Sequence, residues 1–359
     1  METRLQKIAG LAAEMGVDAI LLTGEVNMHY ATKFPRLEGM VVIGRDGSGA
    51  CFTDSRYIEA VTAAITPLGY RAEEPAGSYP TIKTISAYVA EKGIRTLGFE
   101  NKAMSVAEYE AYRGELAAEL VPIGDGMERL RRKKEPEEIA SIEKAQRIAE
   151  GALARLVPEL VPGAYEDELT AKLRYYMALG GSEDFAPGMI LVCGKATSMP
   201  HGQPSHKALS NGDFVTIDFG AMANGYNSDM TRTFGIGHVS QKMKEVYAVV
   251  LEAQLAGIDA FERGKTGAEV DAAARDIIEK AGYGKYFGHG LGHSLGLEIH
   301  ENPRASRTYS GRFETNDIIT IEPGIYIPGE FGVRIEDMIY LSQEGKVNLT
   351  AFPKELMVV

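Results

Sequence analysis

Four acidic residues recur at equivalent places in two related stretches of the sequence. Asp218 lies in an apolar run, and an Ala-Asn-Gly turn separates it from Asp229. Glu322 ends a second apolar run, and a Pro-Gly turn separates it from Glu336. An ionised carboxylate is costly to bury in an apolar strand unless it is paired or bound to a cation. We therefore expect two hairpins to bring the four acids together, whereas four unrelated surface acids would not recur within a repeat.

Three of the seven histidines lie in the glycine-rich stretch 288–301, which reads GHGLGHSLGLEIHE. Glycines disfavour a helix there, and in an extended segment His289 and His293 share one face. No Glu directly follows either histidine, so this is not the helical zinc motif HExxH. His201, in Met-Pro-His-Gly, occupies in the first stretch roughly the place that His300 occupies in the second. These histidines are better explained by a site than by four separate structural roles.

One imidazole with four carboxylates is an oxygen-rich set of metal ligands. It suits Mn, Co or Fe(II), with Zn as a further alternative. Clustered carboxylates raise each other's pKa values, and two divalent ions would cancel that charge. Two such ions can share a water and lower its pKa towards about 7, which gives a nucleophile at neutral pH. We expect two divalent ions per chain, with Mn favoured.

An internal repeat must position these groups. The helical pattern 163–181 resembles 264–282, and the strand pattern 212–220 resembles 316–324 at nearly the same spacing. Two matches in the same order predict two related halves, each with a helical layer followed by a strand that carries an acid.

The first third of the chain has a different organisation, with strands and helices that interleave as in an α/β domain. The basic run RLRRKKEPEE at 129–138 marks the boundary, and we interpret it as a solvated linker with a helix starting at Pro136. The predicted domains are 1–129 and 130–359.

Composition limits the partners and the compartment. Lys plus Arg is 38 and Asp plus Glu is 50, which gives a net charge of −12. An acidic chain gains no counterion release from nucleic acid, so we expect no nucleic-acid partner. We see no signal peptide or membrane-spanning stretch, and the two cysteines have no metal-type spacing. We expect a cytoplasmic protein without disulfides.

The motifs DFGAMANGYNSDMTRT (218–233), GHGLGHSLGLEIHE (288–301), IEPGIY (321–326) and VRIED (333–337) resemble the proline-specific metallopeptidases aminopeptidase P and prolidase. The resemblance covers essentially the whole chain. It implies an α/β creatinase-like N-terminal domain, followed by an α+β pita-bread catalytic domain with an internal pseudo-twofold repeat. It further implies a homodimer, and a peptide substrate with proline after its N-terminal residue.

The resemblance also implies residue roles. The metal ligands would be Asp218, Asp229, His293, Glu322 and Glu336. Of these, Asp229 and Glu336 would bridge the two ions, and Glu322 would also carry a proton. The substrate site would be formed by His201, His289, His300 and Tyr326. Of these, His289 and His300 would be hydrogen-bond donors to the substrate and to the developing tetrahedral intermediate. Arg334 would support the site.

Proteins of this fold have several other functions, which the ligands and the N-terminal domain argue against. A creatinase-type amidinohydrolase or a non-catalytic binding module of the same fold should lack most of the five ligands, which this chain keeps. Methionine aminopeptidase shares the ligands but does not need the N-terminal domain. We take an Xaa-Pro aminopeptidase as the main hypothesis and an Xaa-Pro dipeptidase as its alternative. Arg304 does not separate them, since it could either bind a dipeptide's carboxylate or be a surface residue.

Overall fold

The computed structural model describes residues 2–75 and 79–359. The chain divides into two compact units, Met1–Arg131 and Arg132–Val359. None of the helices in the described ranges has the length and apolar content needed to cross a membrane.

Helices and strands interleave in the N-terminal unit, as predicted for an α/β domain. In chain order they are α1 (Arg4–Glu14), β1 (Ala19–Leu22), α2 (Glu25–Thr32), β2 (Gly39–Gly44), β3 (Gly49–Thr53), α3 (Ile58–Ile65), β4 (Tyr70–Glu73), α4 (Ile82–Lys92), β5 (Thr96–Phe99), α5 (Val106–Glu115), β6 (Glu119–Pro122) and α6 (Gly126–Arg132).

The six strands of this unit form one mixed sheet in the order β4-β3-β2-β1-β5-β6. Strand β1 pairs antiparallel with β2 and parallel with β5. It reads AILL and is wholly buried, as expected for a central strand covered on both faces. Helix α1 begins where Thr3 and Gln6 form a capping box, and its apolar residues face the core.

The C-terminal unit contains longer helices and shorter sheets. In chain order its elements are α7 (Pro136–Leu156), α8 (Glu166–Leu179), β7 (Ile190–Cys193), β8 (Phe214–Phe219), β9 (Met222–Ala223), β10 (Tyr226–Asn227), β11 (Met230–Gly235), α9 (Gln241–Ala260), α10 (Gly267–Lys280), β12 (Gly292–Ser294), β13 (Glu301–Ala305), β14 (Ile318–Ile321), β15 (Gly324–Ile327), β16 (Phe331–Arg334), β17 (Asp337–Leu341) and β18 (Lys346–Asn348).

The predicted repeat is visible in this unit. Helix α8 packs on α7, and α10 packs on α9. After the first helix pair comes the sheet β11-β8-β7, and after the second comes β14-β17-β18. Each sheet therefore contains an antiparallel pair, β8 with β11 or β14 with β17, at the place where the sequence predicts acids.

The basic segment at the predicted boundary is not simply solvated, so that interpretation is wrong for two of its residues. Arg131 is buried in α6 and donates from Nη1 to Asn27 Oδ1 at 2.7 Å. Lys134 is only 1% exposed and forms an ion pair of 2.8 Å with Glu301. A run of like charge does not reveal which members have a buried partner. The helix start at Pro136 is confirmed.

Candidate metal centre

The first half brings Asp218 and Asp229 onto neighbouring strands. Asp218 lies within β8 and is opposite Thr231 of β11, while Asp229 directly precedes β11. The chain reverses at Asn224 and Gly225, whose φ angles of 51° and 77° give the twist that a two-residue hairpin requires. The predicted hairpin is confirmed.

The second half also brings two acids together through an antiparallel strand pair, but here both acids lie just outside the strands. Ile321, the last residue of β14, is opposite Asp337, the first residue of β17. Glu322 follows β14 and Glu336 precedes β17, so the two acids lie side by side at the end of the pair. Between them, β15 and β16 form the predicted hairpin.

Both strand pairs contribute to one cavity of about 510 Å³. Its lining includes all five predicted ligands, the other three predicted histidines and two arginines: Asp218, Asp229, His293, Glu322, Glu336, His201, His289, His300, Arg304 and Arg334.

Asp229, His293 and Glu336 each offer a ligand atom, and these atoms lie within 4.8 Å of one another. His293 Nε2 is 3.7 Å from Asp229 Oδ2 and 3.4 Å from Glu322 Oε1. The His293 Nδ1 lies 3.0 Å from the carbonyl oxygen of Ser294, which can only accept, so Nδ1 carries the hydrogen. The lone pair of Nε2 therefore faces the acids, as a metal ligand requires.

The electrostatics of the cluster fit the binding of positive charge. Burial, and then the charges of neighbouring carboxylates, raise the pKa values of Asp229 and Glu336 well above their usual range. Burial raises the pKa of Glu322 to about 8 and lowers that of His293 to about 3. The neutral imidazole is already in the form that binds a metal ion. The buried carboxyls resist ionisation in the absence of positive charge, and a divalent cation would favour their ionised form.

Arg334 connects the acids of the two halves. Its buried guanidinium donates from Nη2 to Asp218 and from Nε to Thr231 Oγ1, the latter at 3.1 Å. Thr231 in turn donates to Glu336 Oε2 at 2.7 Å. This one cation cannot balance four ionised carboxylates, so the four acids could also hold divalent metal ions.

The cavity's chemistry agrees with similarity to known proteins. The pattern of metallopeptidase family M24 matches residues 140–343, and that of the creatinase/prolidase N-terminal domain matches residues 4–133. An Xaa-Pro dipeptidase from Pyrococcus furiosus is 37% identical over 99% of this chain and 100% of its own length.

The chain belongs to metallopeptidase family M24. It is therefore a hydrolase of a family that uses divalent metals. The solved structure of an Xaa-Pro dipeptidase from Bacillus anthracis has a TM-score of 0.95 at 39% identity and covers 99% of each chain. An X-Pro aminopeptidase from Thermotoga maritima has a TM-score of 0.91 at 32% identity, covering 98% of this chain and 100% of its own. These similarities confirm the predicted creatinase-like and pita-bread domains.

In this M24 chain both ring nitrogens of His289 face protein groups. Its Nδ1 donates to the Gly290 carbonyl at 2.8 Å, and its Nε2 lies 2.9 Å from the Tyr326 hydroxyl. Arg334 donates to that hydroxyl at 2.8 Å, which leaves the tyrosine hydrogen for Nε2. Burial lowers the pKa of His289 to about 4, so the ring is neutral. The role predicted for His289, a donor to the substrate, stays a prediction.

His201 and His300 line the same cavity, and both are exposed. The His300 ring is 4.4 Å from that of His293 and nearly perpendicular to it. Tyr326, by contrast, is buried and contacts His289 and Arg334 through its hydroxyl.

Two threonines that the sequence reasoning missed hold the acids in place. Thr231 bridges Arg334 and Glu336, as described above. Thr320 Oγ1 accepts from the backbone nitrogen of His293 at 3.1 Å and donates to Glu322 at 3.3 Å. Thr320 stands two residues before the acid that it contacts, and because side chains two apart in an extended segment share a face, that spacing was a usable signal. Thr231 contacts an acid 105 residues away, which no local spacing indicates.

Proposed function

We propose that this M24 chain is a two-metal peptidase that cleaves the bond between an N-terminal residue and a following proline. The observation that carries the proposal is the convergence of the five predicted ligands and three further histidines on one cavity. A volume of about 510 Å³ suits a short peptide rather than a folded protein. The names of the relatives, Xaa-Pro dipeptidase and X-Pro aminopeptidase, support the same bond specificity.

The proposed ligand roles follow the two halves. Asp229 and Glu336, both buried, would be held in common by the two ions. Asp218 would bind one ion, and His293 with Glu322 would bind the other. Mn is the favoured metal because the set is mostly carboxylate, with Co, Fe or Zn as alternatives. When bound, the ions lower the pKa of water and supply positive charge at the scissile carbonyl.

The protein groups complete the reaction. Acylated proline has no N–H, and its nitrogen leaves poorly without a proton. Glu322, which lines the cavity, is the proposed proton carrier. His300 and His201 are exposed to the cavity and are the proposed donors to the substrate. Tyr326, with both of its polar contacts inside the protein, acts through His289 and Arg334.

Arg304 favours a dipeptidase over an enzyme for longer peptides. It lines the cavity and is exposed, and in the described part of the chain no carboxylate forms an ion pair with it. It lies on β13, opposite the ligand His293 of β12. A guanidinium so close to the metal centre can bind the C-terminal carboxylate of an Xaa-Pro dipeptide, which lies only one residue from the scissile bond.

Steady-state kinetics of Mn-loaded protein test both levels of the proposal. Ala-Pro should be hydrolysed much faster than Ala-Ala, and equal rates would refute the proline specificity. Arg304→Met should raise KM for Ala-Pro about tenfold or more, the scale of a charge-assisted hydrogen bond, with a smaller effect on Ala-Pro-Ala. Arg304→Lys, which keeps the charge, is the matched control. Unchanged KM in Arg304→Met would leave the peptidase standing and remove the dipeptide assignment.

We also propose a homodimer, which the family resemblance implies, and a cytoplasmic location, which fits two buried free cysteines. Light scattering after size exclusion tests the dimer, and a mass of 38.9 kDa would contradict it.

A further inference from the structure

Two buried acids outside the metal centre hold the backbone that carries two of the cavity histidines. Glu166 begins helix α8 and is 0% exposed; Asp271 lies in helix α10 and is 1% exposed. The two helices are the equivalent members of the repeat. A buried acid needs strong hydrogen-bond donors. The chain segments that supply these donors are therefore the segments that each acid holds in place.

Glu166 closes the two ends of the loop that contains His201. Its Oε1 accepts from the backbone nitrogen of Cys193, at the end of β7, at 2.7 Å. Its Oε2 accepts from the backbone nitrogen and hydroxyl of Ser205 at 2.9 and 2.8 Å. Between these two anchors the chain passes through a 3-10 turn and reaches His201. One carboxylate thus fixes the entry and the exit of this segment.

Asp271 acts on the second half together with Arg275. The two side chains form a buried bidentate pair, with distances of 2.6 and 2.9 Å. Arg275 donates to the carbonyl of Phe287 at 2.9 Å and to that of His289 at 2.7 Å. Asp271 Oδ1 accepts from the backbone nitrogen of Leu291 at 3.0 Å. The pair therefore binds alternate residues of the segment that carries His289.

The second anchor also reaches a predicted ligand through the backbone. The carbonyl of Leu291 accepts from the backbone nitrogen of Glu322 at 2.8 Å. Asp271, Leu291 and Glu322 therefore form a continuous chain of hydrogen bonds from α10 to the cavity. Neither Glu166 nor Asp271 lines the cavity itself.

We propose that Glu166 and the Asp271–Arg275 pair are positioning residues for the hydrolysis, Glu166 through His201 and the pair through His289. The inference rests on the proposed function for its kinetic readout. We expect effects on the scale that is known for outer partners of metal ligands, about 10- to 100-fold in activity, without contact to the substrate.

Double-mutant cycles on Ala-Pro hydrolysis, measured well below each variant's Tm, test the proposal. Glu166→Gln should lower kcat/KM about tenfold or more in wild type and have little further effect in His201→Ala. Asp271→Asn should lose most of its effect in His289→Ala, and keep only the part that passes through Leu291 to Glu322. A double variant that combines one residue from each half, such as Glu166→Gln with His289→Ala, should lose kcat/KM by the product of the two single fold-losses. The exposed acids Glu168 and Asp276 provide matched controls, Glu168→Gln and Asp276→Asn, which should match wild type.

Amide hydrogen exchange gives a readout that does not depend on activity. Exchange of 193–205 should accelerate in Glu166→Gln alone, and exchange of 287–291 in Asp271→Asn alone. If either variant does not fold, Ser205→Ala and Arg275→Lys each remove part of the same anchor and should give smaller changes in the same segments. Additive effects within a half, or losses that track Tm alone, would overturn the proposal. A wild type inactive on Ala-Pro would refute the proposed function, while the exchange data would still decide the anchoring.

Discussion

The two halves of the catalytic unit share a backbone plan but supply different side chains. In the first half Asp218 lies inside β8, and Asp229 directly precedes β11. In the second half Glu322 directly follows β14, and Glu336 directly precedes β17 as Asp229 precedes β11. The second half also supplies His293. The repeated strand pair therefore gives both halves the same backbone geometry, while the side chains that they supply differ.

The halves are also tied to one another at the side-chain level. Arg334 of the second half donates to Asp218 of the first, and Thr231 of the first half donates to Glu336 of the second. Neither half alone satisfies its acids. We therefore expect the largest mutational effects at groups used by both halves, and smaller effects at groups that serve only one.

The largest effect is expected at the shared acids. Asp229→Ala and Glu336→Ala should each lower kcat/KM for Ala-Pro by about 10³-fold, the upper scale for losing one preorganised charged group, and should also lower bound metal. The physical reason is the same for both variants. Each removes a carboxylate that both ions would share, and the remaining acids then repel one another. Glu330→Ala, at an exposed turn acid, is the control. Near-wild-type turnover in either variant with excess Mn would show that the acid is not a ligand.

The next effect compares the exposed histidines of the two halves. His300→Ala should keep its metal content but lose about 10²-fold in kcat/KM, as for removal of one positioned donor. His201→Ala should lose less, because its ring is not in contact with a predicted ligand as His300 is with His293. Metal analysis accompanies the kinetics. Loss of metal in His300→Ala would make that residue a ligand rather than a donor.

A smaller effect compares the two threonines. Thr231→Val removes a hydroxyl that connects Arg334 with Glu336, and should lower metal affinity about tenfold, the lower scale for an outer partner. Thr320→Val removes a longer contact to Glu322 and should have less effect. Metal titration of both variants gives the comparison. A larger loss in Thr320→Val would reverse the proposed importance of the bridge between the halves.

Features that depend on neighbouring residues in the sequence, such as turns, could be predicted from the sequence. Asn224 and Gly225 specify a two-residue turn, so the first hairpin and its pair of acids could be placed without a structure. The choice of buried partner depends on chain packing, so the Lys134–Glu301 pair and the Arg334–Asp218 contact were not foreseen. The boundary after residue 129 and the individual site roles stay predictions.

The smallest effect concerns the pH dependence of stability in metal-free protein. The pKa of Glu322 is raised to about 8, so the folded state holds a proton that the unfolded chain releases. That stabilisation is lost as the pH rises towards 8, by at most about 1.4 kcal/mol per pH unit for each such carboxyl. The lowered pKa values of His289 and His293 act oppositely, but only below their ordinary value of 6.5.

Between pH 6.5 and 8, the free energy of unfolding of chelator-treated protein should therefore fall, while the stabilisation by added Mn should grow because fewer protons compete. Urea unfolding at several pH values measures both trends. Glu322→Gln should flatten the slope. A metal-free protein that becomes more stable over this window would show that the acids are not held protonated.

The number of metal ions bound per chain tests the central claim most directly, namely that the two halves hold two ions jointly. Elemental analysis after equilibrium dialysis against Mn should give two ions per chain for wild type. Asp218→Asn, which alters the first half, and Glu322→Gln, which alters the second, should each retain about one. A wild type that binds a single ion, or variants that both keep two with unchanged affinity, would contradict the account of a dinuclear centre shared between the two halves.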